Sequence, residues 1–227
     1  ADPLVTFAGG ATTASLSAGA LQAEEAYYLG LHGTGSMEIP TAALGMTQAV
    51  TVAFWTYGLP DELPANTTIF EAVDGANRRQ MNVHLPWSDS NIYWDCGNDG
   101  SGYDRISKAA NPADIEGRWN HWAFTKDADI GEMRIYLNGE LWHSGTGFTR
   151  PIMATRMVAG GNASGSLGYP GNLDNFSMWN RALTASEVQA MMYVEDIPGD
   201  HPAIASLIAH YPFNEGTGLE TADVANG

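Results

Sequence analysis

Short runs of alternating apolar and polar residues, broken by Gly, Pro and Asn, run through most of this chain and predict many β-strands and few helices. The strongest is AVTVAFWTY, Ala49 to Tyr57, where Val50, Val52, Phe54 and Thr56 alternate with Thr51, Ala53, Trp55 and Tyr57. Both of its faces are apolar, which suits a central strand of a sandwich. Thr68 to Val73 reads as a strand, and in Arg79 to Leu85 the residues Met81, Val83 and Leu85 share one face. Ser90 to Cys96 is a further strand, closed by the loop GNDGSGYD, after which Arg105 and Ile106 open another. Trp119 to Thr125 and Met133 to Leu141 form a hairpin-like pair, and Asn138-Gly139 is a two-residue turn that folds Glu140 to His143 back. Tyr27 to Ile39 alternates on both sides of a Gly-rich turn and reads as a hairpin-like pair. Met157 to Ala159 begins a strand before the loop GGNASGSLGYPG, and Leu4, Val5 and Phe7 mark a first edge strand. The stretch from Ala11 to Glu25 reads either as an irregular cover or as a strand with loops.

The run from Gly168 to Met192 holds a strand, a turn and a helix. Leu173, Phe176, Met178 and Trp179 come close to alternation if the chain bulges at Asn175 to Phe176. Thr184 followed by Glu187 has the spacing of a capping box, and Val188, Met191 and Met192 supply the helix's apolar face. Asp174 is a carboxylate inside an otherwise apolar strand, so it calls for a cation, backbone N–H donors or water.

Charge narrows the function classes. With 26 Asp and Glu against 10 Lys and Arg, the net charge is -16. Phosphate neutralisation needs clustered cations, so a nucleic-acid partner is not expected. An acidic surface suits a secreted protein or one that binds Ca²⁺ through carboxylates. A single cysteine, Cys96, excludes an internal disulfide and is read as buried and inert. In an extracellular setting that points to a bacterial module. No apolar run is long enough to span a membrane.

The closing run LDNFSMWNRAL followed by TASEV resembles the closing motif of laminin-G-like and pentraxin-like domains. The pairing of WNHWAFT with MRIYLNGEL resembles the same family, as does the segment LGLHGTGSMEIP, apart from His32, which stands where an acidic or Asn residue is more familiar. That departure weakens a metal role for this turn. The resemblance covers about Tyr27 to Met192. It implies an all-β fold: a two-sheet antiparallel jelly-roll sandwich of the concanavalin A-like type, with one short helix near the C-terminus. Residues 1–194 would form the sandwich and 195–205 a linker. The tail from Ser206, SLIAHYPFNEGTGLETADVANG, resembles the opening of such a domain. It either completes the same sandwich or opens a truncated second domain.

The resemblance also implies calcium, structural or bridging to ligand, and favours Asp174 as a ligand; Glu215, Asp223 and Asn226 are the kind of oxygen donors calcium takes and are weaker candidates. The loop HLPWSDSNIYWDCGNDGSGYDR places Trp87, Tyr93, Trp94 and Tyr103 among Asp89, Asn91, Asp95, Asn98, Asp99 and Arg105. Sugars present apolar C–H faces and a girdle of hydroxyls, so aromatic platforms beside Asp, Asn and Arg suit them. Trp87, Asp89, Trp94, Asp95, Asn98, Asp99, Tyr103 and Arg105 are therefore the expected ligand site. Tyr93 and Trp94 are adjacent in a strand, so one of the two must point inward. The alternatives are the loop with Asn162 and Tyr169, or the rim near Asp174. Trp119, Trp122 and Phe124 are expected in the core, with His121 outward or satisfied within the sheet.

No paired-carboxylate strand, G-x-S-x-G, H-E-x-x-H or P-loop occurs. The expectation is a non-catalytic binding module of a larger secreted or cell-surface protein, recognising a glycan or a cell-surface protein. The rivals are a spacer without a ligand, which should bury Trp87 and Trp94, and less plausibly a glycoside hydrolase-like enzyme.

Overall fold

A computed structural model describes residues 4–8, 12–15, 27–40 and 48–225. In chain order it begins with β1 (Leu4–Ala8), β2 (Thr12–Ser15), β3 (Tyr27–Gly30), β4 (Ser36–Ile39) and β5 (Ala49–Gly58). Then come β6 (Phe70–Val73), β7 (Arg79–His84), β8 (Asn91–Cys96), β9 (Asp104–Ala109), α1 (Pro112–Ile115) and β10 (Trp119–Asp127). The hairpin strands β11 (Glu132–Leu137) and β12 (Glu140–Thr146) lead to β13 (Arg156–Ala159), β14 (Gly171–Trp179) and α2 (Ala185–Met191). A 3-10 turn at Ile204–Ser206 precedes β15 (Leu207–Tyr211) and β16 (Glu220–Ala222).

Two antiparallel sheets face each other. Sheet I runs β16-β1-β4-β13-β6-β7-β8-β9, and sheet II runs β12-β11-β10-β5-β14-β3-β2, with β15 also paired to β14. This is the expected all-β sandwich. Between the sheets Phe54 stacks on Phe124 and on Phe176, each at 5.9 Å between centroids, while Phe70 meets Phe54 edge-on at 6.1 Å. Trp94 closes the group 5.8 Å from Phe124. Two polar ties also cross between the sheets. Trp94 Nε1 donates to the Thr125 carbonyl at 3.0 Å, and buried Lys126 on β10 pairs with Asp104 on β9. Cys96 is buried and unpaired.

Several local expectations hold. β5 is central, with β10 on one side and β14 on the other. Asn138 and Gly139 both have positive φ, 50° and 80°, as the tight hairpin turn between β11 and β12 requires. The α2 capping box is complete. The bulge in β14 sits between Asp174 and Ser177, with Asn175 at φ 50°.

Other expectations are corrected. β3 and β4 do not pair; the Gly-rich turn between them carries the chain from sheet II to sheet I. Alternation identifies strands without saying which sheet they join. β1 is not an edge strand, because it lies between β16 and β4. Of the two readings of the tail, the strand pairing agrees with completion of the same sandwich: β15 pairs with β14 in sheet II and β16 with β1 in sheet I. The single turn α1 adds a second short helix, with buried Ile115 inward. Trp119 is only half-buried and lies on the outer face of sheet II, 5.6 Å from Tyr28 and 6.0 Å from Tyr57. Asn226 lies outside the described residues.

The outer faces of the two sheets differ. On sheet II, α2 and the segment after it cover Ala53, Ala123, Tyr136 and Trp179 with Val188, Met191, Ala203 and Leu207. Small side chains at Ala53 and Ala123 leave room for the helix. Trp55 Nε1 donates to the Met192 carbonyl at 2.7 Å, and the Trp55 ring covers His121 at 5.4 Å. His121 is thus buried rather than outward. Its Nδ1 has no partner among the described residues, and burial pushes its pKa down to about 3. Among the described residues no helix covers sheet I, and the outward residues of β7 and β8 are polar.

Candidate functional site

On β7 the core-facing residues Met81 and Val83 leave Gln80, Asn82 and His84 pointing the other way, and on β8 Ile92, Trp94 and Cys96 leave Asn91, Tyr93 and Asp95. The outer face of sheet I is thus built from Arg, His, Asp, Asn and Tyr. A pocket of about 290 Å³ opens there, lined by Arg79, His84, Trp87, Asp89, Tyr93, Arg105 and Leu167.

Asp95 is the floor on which the cations rest. Fully buried, it accepts from Arg105 Nε at 2.5 Å and Nη2 at 2.7 Å, and from Arg79 Nη1 at 2.7 Å. Arg79 Nε donates to Glu71 Oε1 at 3.1 Å. The Arg105 guanidinium also lies over the rings of Tyr93, at 4.6 Å, and Tyr103, at 5.1 Å. Both guanidinium groups are therefore fixed, with Nη2 of Arg79 and Nη1 of Arg105 left to donate elsewhere.

His84 supplies an acceptor. Its Nδ1 lies 2.7 Å from the Thr67 carbonyl, which can only accept, so Nδ1 carries the proton and Nε2 is bare. Burial lowers the imidazole pKa, the Thr67 bond opposes that, and the Arg79 and Arg105 charges lower it further. The ring is neutral at pH 7. Trp87 packs against it at 4.2 Å between centroids. At the rim, exposed Asp89 accepts from Tyr93 Oη at 2.6 Å and from the Asn91 N–H at 2.9 Å, and these bonds hold its carboxyl below the ordinary range. The pocket thus presents aromatic surface, donors in fixed directions, one neutral acceptor and one carboxylate.

Of the expected ligand residues, Trp87, Asp89 and Arg105 line this pocket, and Tyr103 stacks on Arg105 behind it. Trp94 does not: it is fully buried in the core, because Ile92 and Cys96 fix its side of the strand. Asp95 lies beneath the arginines without lining the pocket. Asn98 and Asp99 sit apart in the β8–β9 loop. There Asn98 Oδ1 accepts from the Gly100 N–H, while Asp99 accepts from Ser101 and from Arg150 at 3.2 Å. Arg79, His84, Tyr93 and Leu167 were not foreseen as a set. The signal for His84 was the polar face of RQMNVHL opposite Met81, Val83 and Leu85, whereas Arg79 shares the parity of those three and is displaced by the irregularity opposite Ala72 and Val73. The test that separates a spacer from a binding module splits: Trp94 is buried, but Trp87 is half-exposed at the pocket.

The expected calcium ligands are not gathered. Glu215 Oε1 accepts from Thr221 Oγ1 at 2.6 Å, and Asp223 Oδ1 accepts from the N–H groups of His210 and Ala225 at 2.9 and 3.0 Å. Asp174 Oδ1 accepts from the Asn175 N–H at 2.8 Å, and burial pushes its carboxyl up to about 7. Calcium takes six to eight oxygens. Among the described residues no group of three or more His, Cys, Asp or Glu side chains is placed to hold a metal. The residues do not fit the ion. Melting in EGTA and then in excess Ca²⁺ is expected to give the same Tm. A site filled at a hundredfold excess over Kd would add about 2.7 kcal/mol, so a clear rise would refute this.

Residues 31–189, more than two-thirds of the chain, match the family model of the concanavalin A-like lectin/glucanases superfamily. The chain belongs to this superfamily. Among solved structures it is similar to domain 4 of AbnA, a GH43 extracellular arabinanase from Geobacillus stearothermophilus, in complex with arabinotriose. The TM-score is 0.58 and the identity 22%, over 82% of this chain and 86% of that one. It is also similar to the ligand binding domain of botulinum neurotoxin serotype D in complex with N-acetylneuraminic acid. Here the TM-score is 0.59 and the identity 13%, over 83% and 49% of the two chains. The receptor binding domain of the botulinum neurotoxin C/D mosaic serotype gives 0.57 and 15%, over 80% and 46%. At these identities the likeness concerns the fold alone, and this superfamily member spans less than half the length of the toxin chains. No curated protein sequence matches it. None of its described helices is long and apolar enough to cross a membrane.

Proposed function

We propose that this domain is a non-catalytic glycan-binding module, acting outside the cell as part of a larger secreted or surface protein. The observation that carries the reading is the pocket on the open face of sheet I. A sugar ring needs an apolar platform for its C–H face and both donors and acceptors for its hydroxyls. Trp87 is the platform, Arg79 and Arg105 are donors, and His84 Nε2 and Asp89 are acceptors. The ion pairs to Asp95 hold the donors before any ligand arrives, which lowers the ordering cost of binding. The net charge and the extracellular arabinanase among the similar structures support the location. Against catalysis, Asp89 is the one carboxylate in the pocket lining, whereas glycoside hydrolysis takes two.

Screening on a glycan array, followed by calorimetry, tests this. Asp89→Ala changes an exposed rim residue and is expected to leave Tm nearly unchanged, while Trp87→Ala removes a half-buried ring packed on His84 and should lower Tm without unfolding the domain. Each should weaken glycan binding about tenfold or more, in line with the worth of one aromatic contact or one charged hydrogen bond. Binding that survives both substitutions would move the site elsewhere. Absence of any glycan binding would favour a spacer.

A further inference from the structure

A second hollow, of about 170 Å³, lies beside the first. It is lined by the turn Gly33, Thr34, Gly35 and Ser36 and by residues 160–162 and 165–168 of the β13–β14 loop. Leu167 lines both hollows. We propose that the two hollows are one cleft that holds consecutive units of an oligosaccharide, with Leu167 as the ridge between subsites. The proposal rests on the glycan reading of the first pocket and adds that the ligand is a chain rather than a single terminal sugar.

Four observations carry it. The walls are built by close backbone approach: a Cβ on Gly168 would lie 1.9 Å from the Gly33 carbonyl oxygen, and one on Gly160 2.5 Å from that of Gly35. Second, the hollow presents donors without partners. The N–H groups of Gly161 and Gly168 make no hydrogen bond among the described residues. Asn162 Oδ1 accepts from the Ser166 N–H at 2.7 Å and from the Ser164 and Ser166 hydroxyls, which fixes the amide and leaves Nδ2 to donate. Such donors suit hydroxyl and ring oxygens.

Third, the two halves are tied together. Glu71 Oε1 takes Arg79 of the first pocket while its Oε2 takes the Ala163 N–H of the loop, at 2.9 Å. Arg156 holds the same loop through the Ala163 carbonyl, at 2.5 Å, and is itself held by Glu38. Fourth, Leu167 has φ 54°, a conformation that a branched aliphatic residue rarely adopts. A glycine would fit that backbone better, so a side chain kept between the two hollows fits a role in contact with ligand. Singly, each hollow falls below the usual volume of a ligand site; joined, they reach it.

The test uses xylo- and arabino-oligosaccharides of one to six units, with titration calorimetry for the longer probes and saturation-transfer NMR for the monosaccharides. Affinity should rise at least tenfold between one and three units and then level off. Thr34→Trp, at an exposed position on the second hollow, should abolish that rise and leave monosaccharide binding unchanged. Leu167→Gly should also lose the rise while Tm stays within a few degrees, because relief of the backbone offsets the lost apolar contact. A rise that survives both substitutions overturns the cleft and spares the first pocket. So does a wild-type affinity that is flat with length yet lost in Trp87→Ala. No binding by any of these probes at millimolar concentration overturns both readings.

Discussion

Asp104→Leu is expected to destabilise the domain by about 3–5 kcal/mol, the cost of leaving a buried charge without its partner. Lys126→Met is expected to cost less, about 1–2 kcal/mol. The asymmetry comes from the third member of the group. Lys126 is fully buried between the sheets, and its salt bridge is to Asp104. Asp104 has two further donors: the Arg150 N–H and Arg150 Nη1, both at 2.9 Å. Burial alone would push the Asp104 carboxyl up, but the bonds from Lys126 and Arg150 outweigh it and hold the carboxyl below its ordinary value. With Lys126 removed, the carboxylate keeps Arg150. With Asp104 removed, the ammonium keeps no partner among the described residues. Urea denaturation of both single variants and of the double variant checks this. The double variant should cost less than the sum of the singles, because the second substitution removes the orphan created by the first. A Lys126→Met cost equal to or above that of Asp104→Leu would refute the argument.

That ion pair also shows what local pattern can and cannot reveal. β5, the β11–β12 turn, the bulge in β14 and the α2 cap were all readable, because each obeys a rule confined to a few neighbouring residues: alternation, paired positive φ, or a Thr and Glu three apart. Lys126 and Asp104 meet across the sandwich from different sheets, and nothing in either strand announces the other. The same limit explains the errors. Tyr27 to Ile39 reads as a hairpin because alternation carries no sheet label. The tail motif resembles the opening of a domain because β15 and β16 do complete both sheets, though from the end of the chain.

The site was half legible for a related reason. Trp87, Asp89 and Arg105 stood out by composition, but the parity of Ile92 and Cys96 already assigned Trp94 to the core and Tyr93 to the outside. His84 looked like the ordinary polar face of a strand, Arg79 shared the parity of its apolar residues, and Leu167 looked like an ordinary loop residue. What gathers them is the order of strands in sheet I, which sets β7 beside β8 and brings the β13–β14 loop to β6. Leu167 itself belongs to the Asn162 and Tyr169 loop that the sequence offered as an alternative site, and it lines the pocket beside Trp87 as well. Part of the outer face of sheet II is closed off, because α2 and the segment after it cover Ala53, Ala123, Tyr136 and Trp179.

Asp174→Asn is expected to stabilise the domain, and only above mildly acidic pH. Asp174 lies opposite Trp55, where β14 changes neighbour from β3 to β15. Its pKa is about 7, raised from 3.8, chiefly by burial and further by the charge of Glu195, against the single bond from the Asn175 N–H. Below about pH 4 the carboxyl is protonated in both folded and unfolded chains, so it contributes no pH dependence. Between about 4 and 7 the unfolded chain ionises first, so stability falls as pH rises. Above about 7 both forms are ionised and the penalty is constant. An amide keeps the acceptor for the Asn175 N–H and carries no charge. The variant should therefore match the parent at pH 4 and exceed it at pH 8 by on the order of 2 kcal/mol, allowing for the solvent that still reaches the group. Glycan affinity should not change, because the residue belongs to the sheet away from the pocket. Urea denaturation at the two pH values, with and without Ca²⁺, decides the matter. A calcium ligand would reverse the sign, since losing it would destabilise the calcium-loaded protein. A gain at pH 8 in Ca²⁺ would identify Asp174 as a buried acid without a cation, and a loss there would restore the metal to the closing strand.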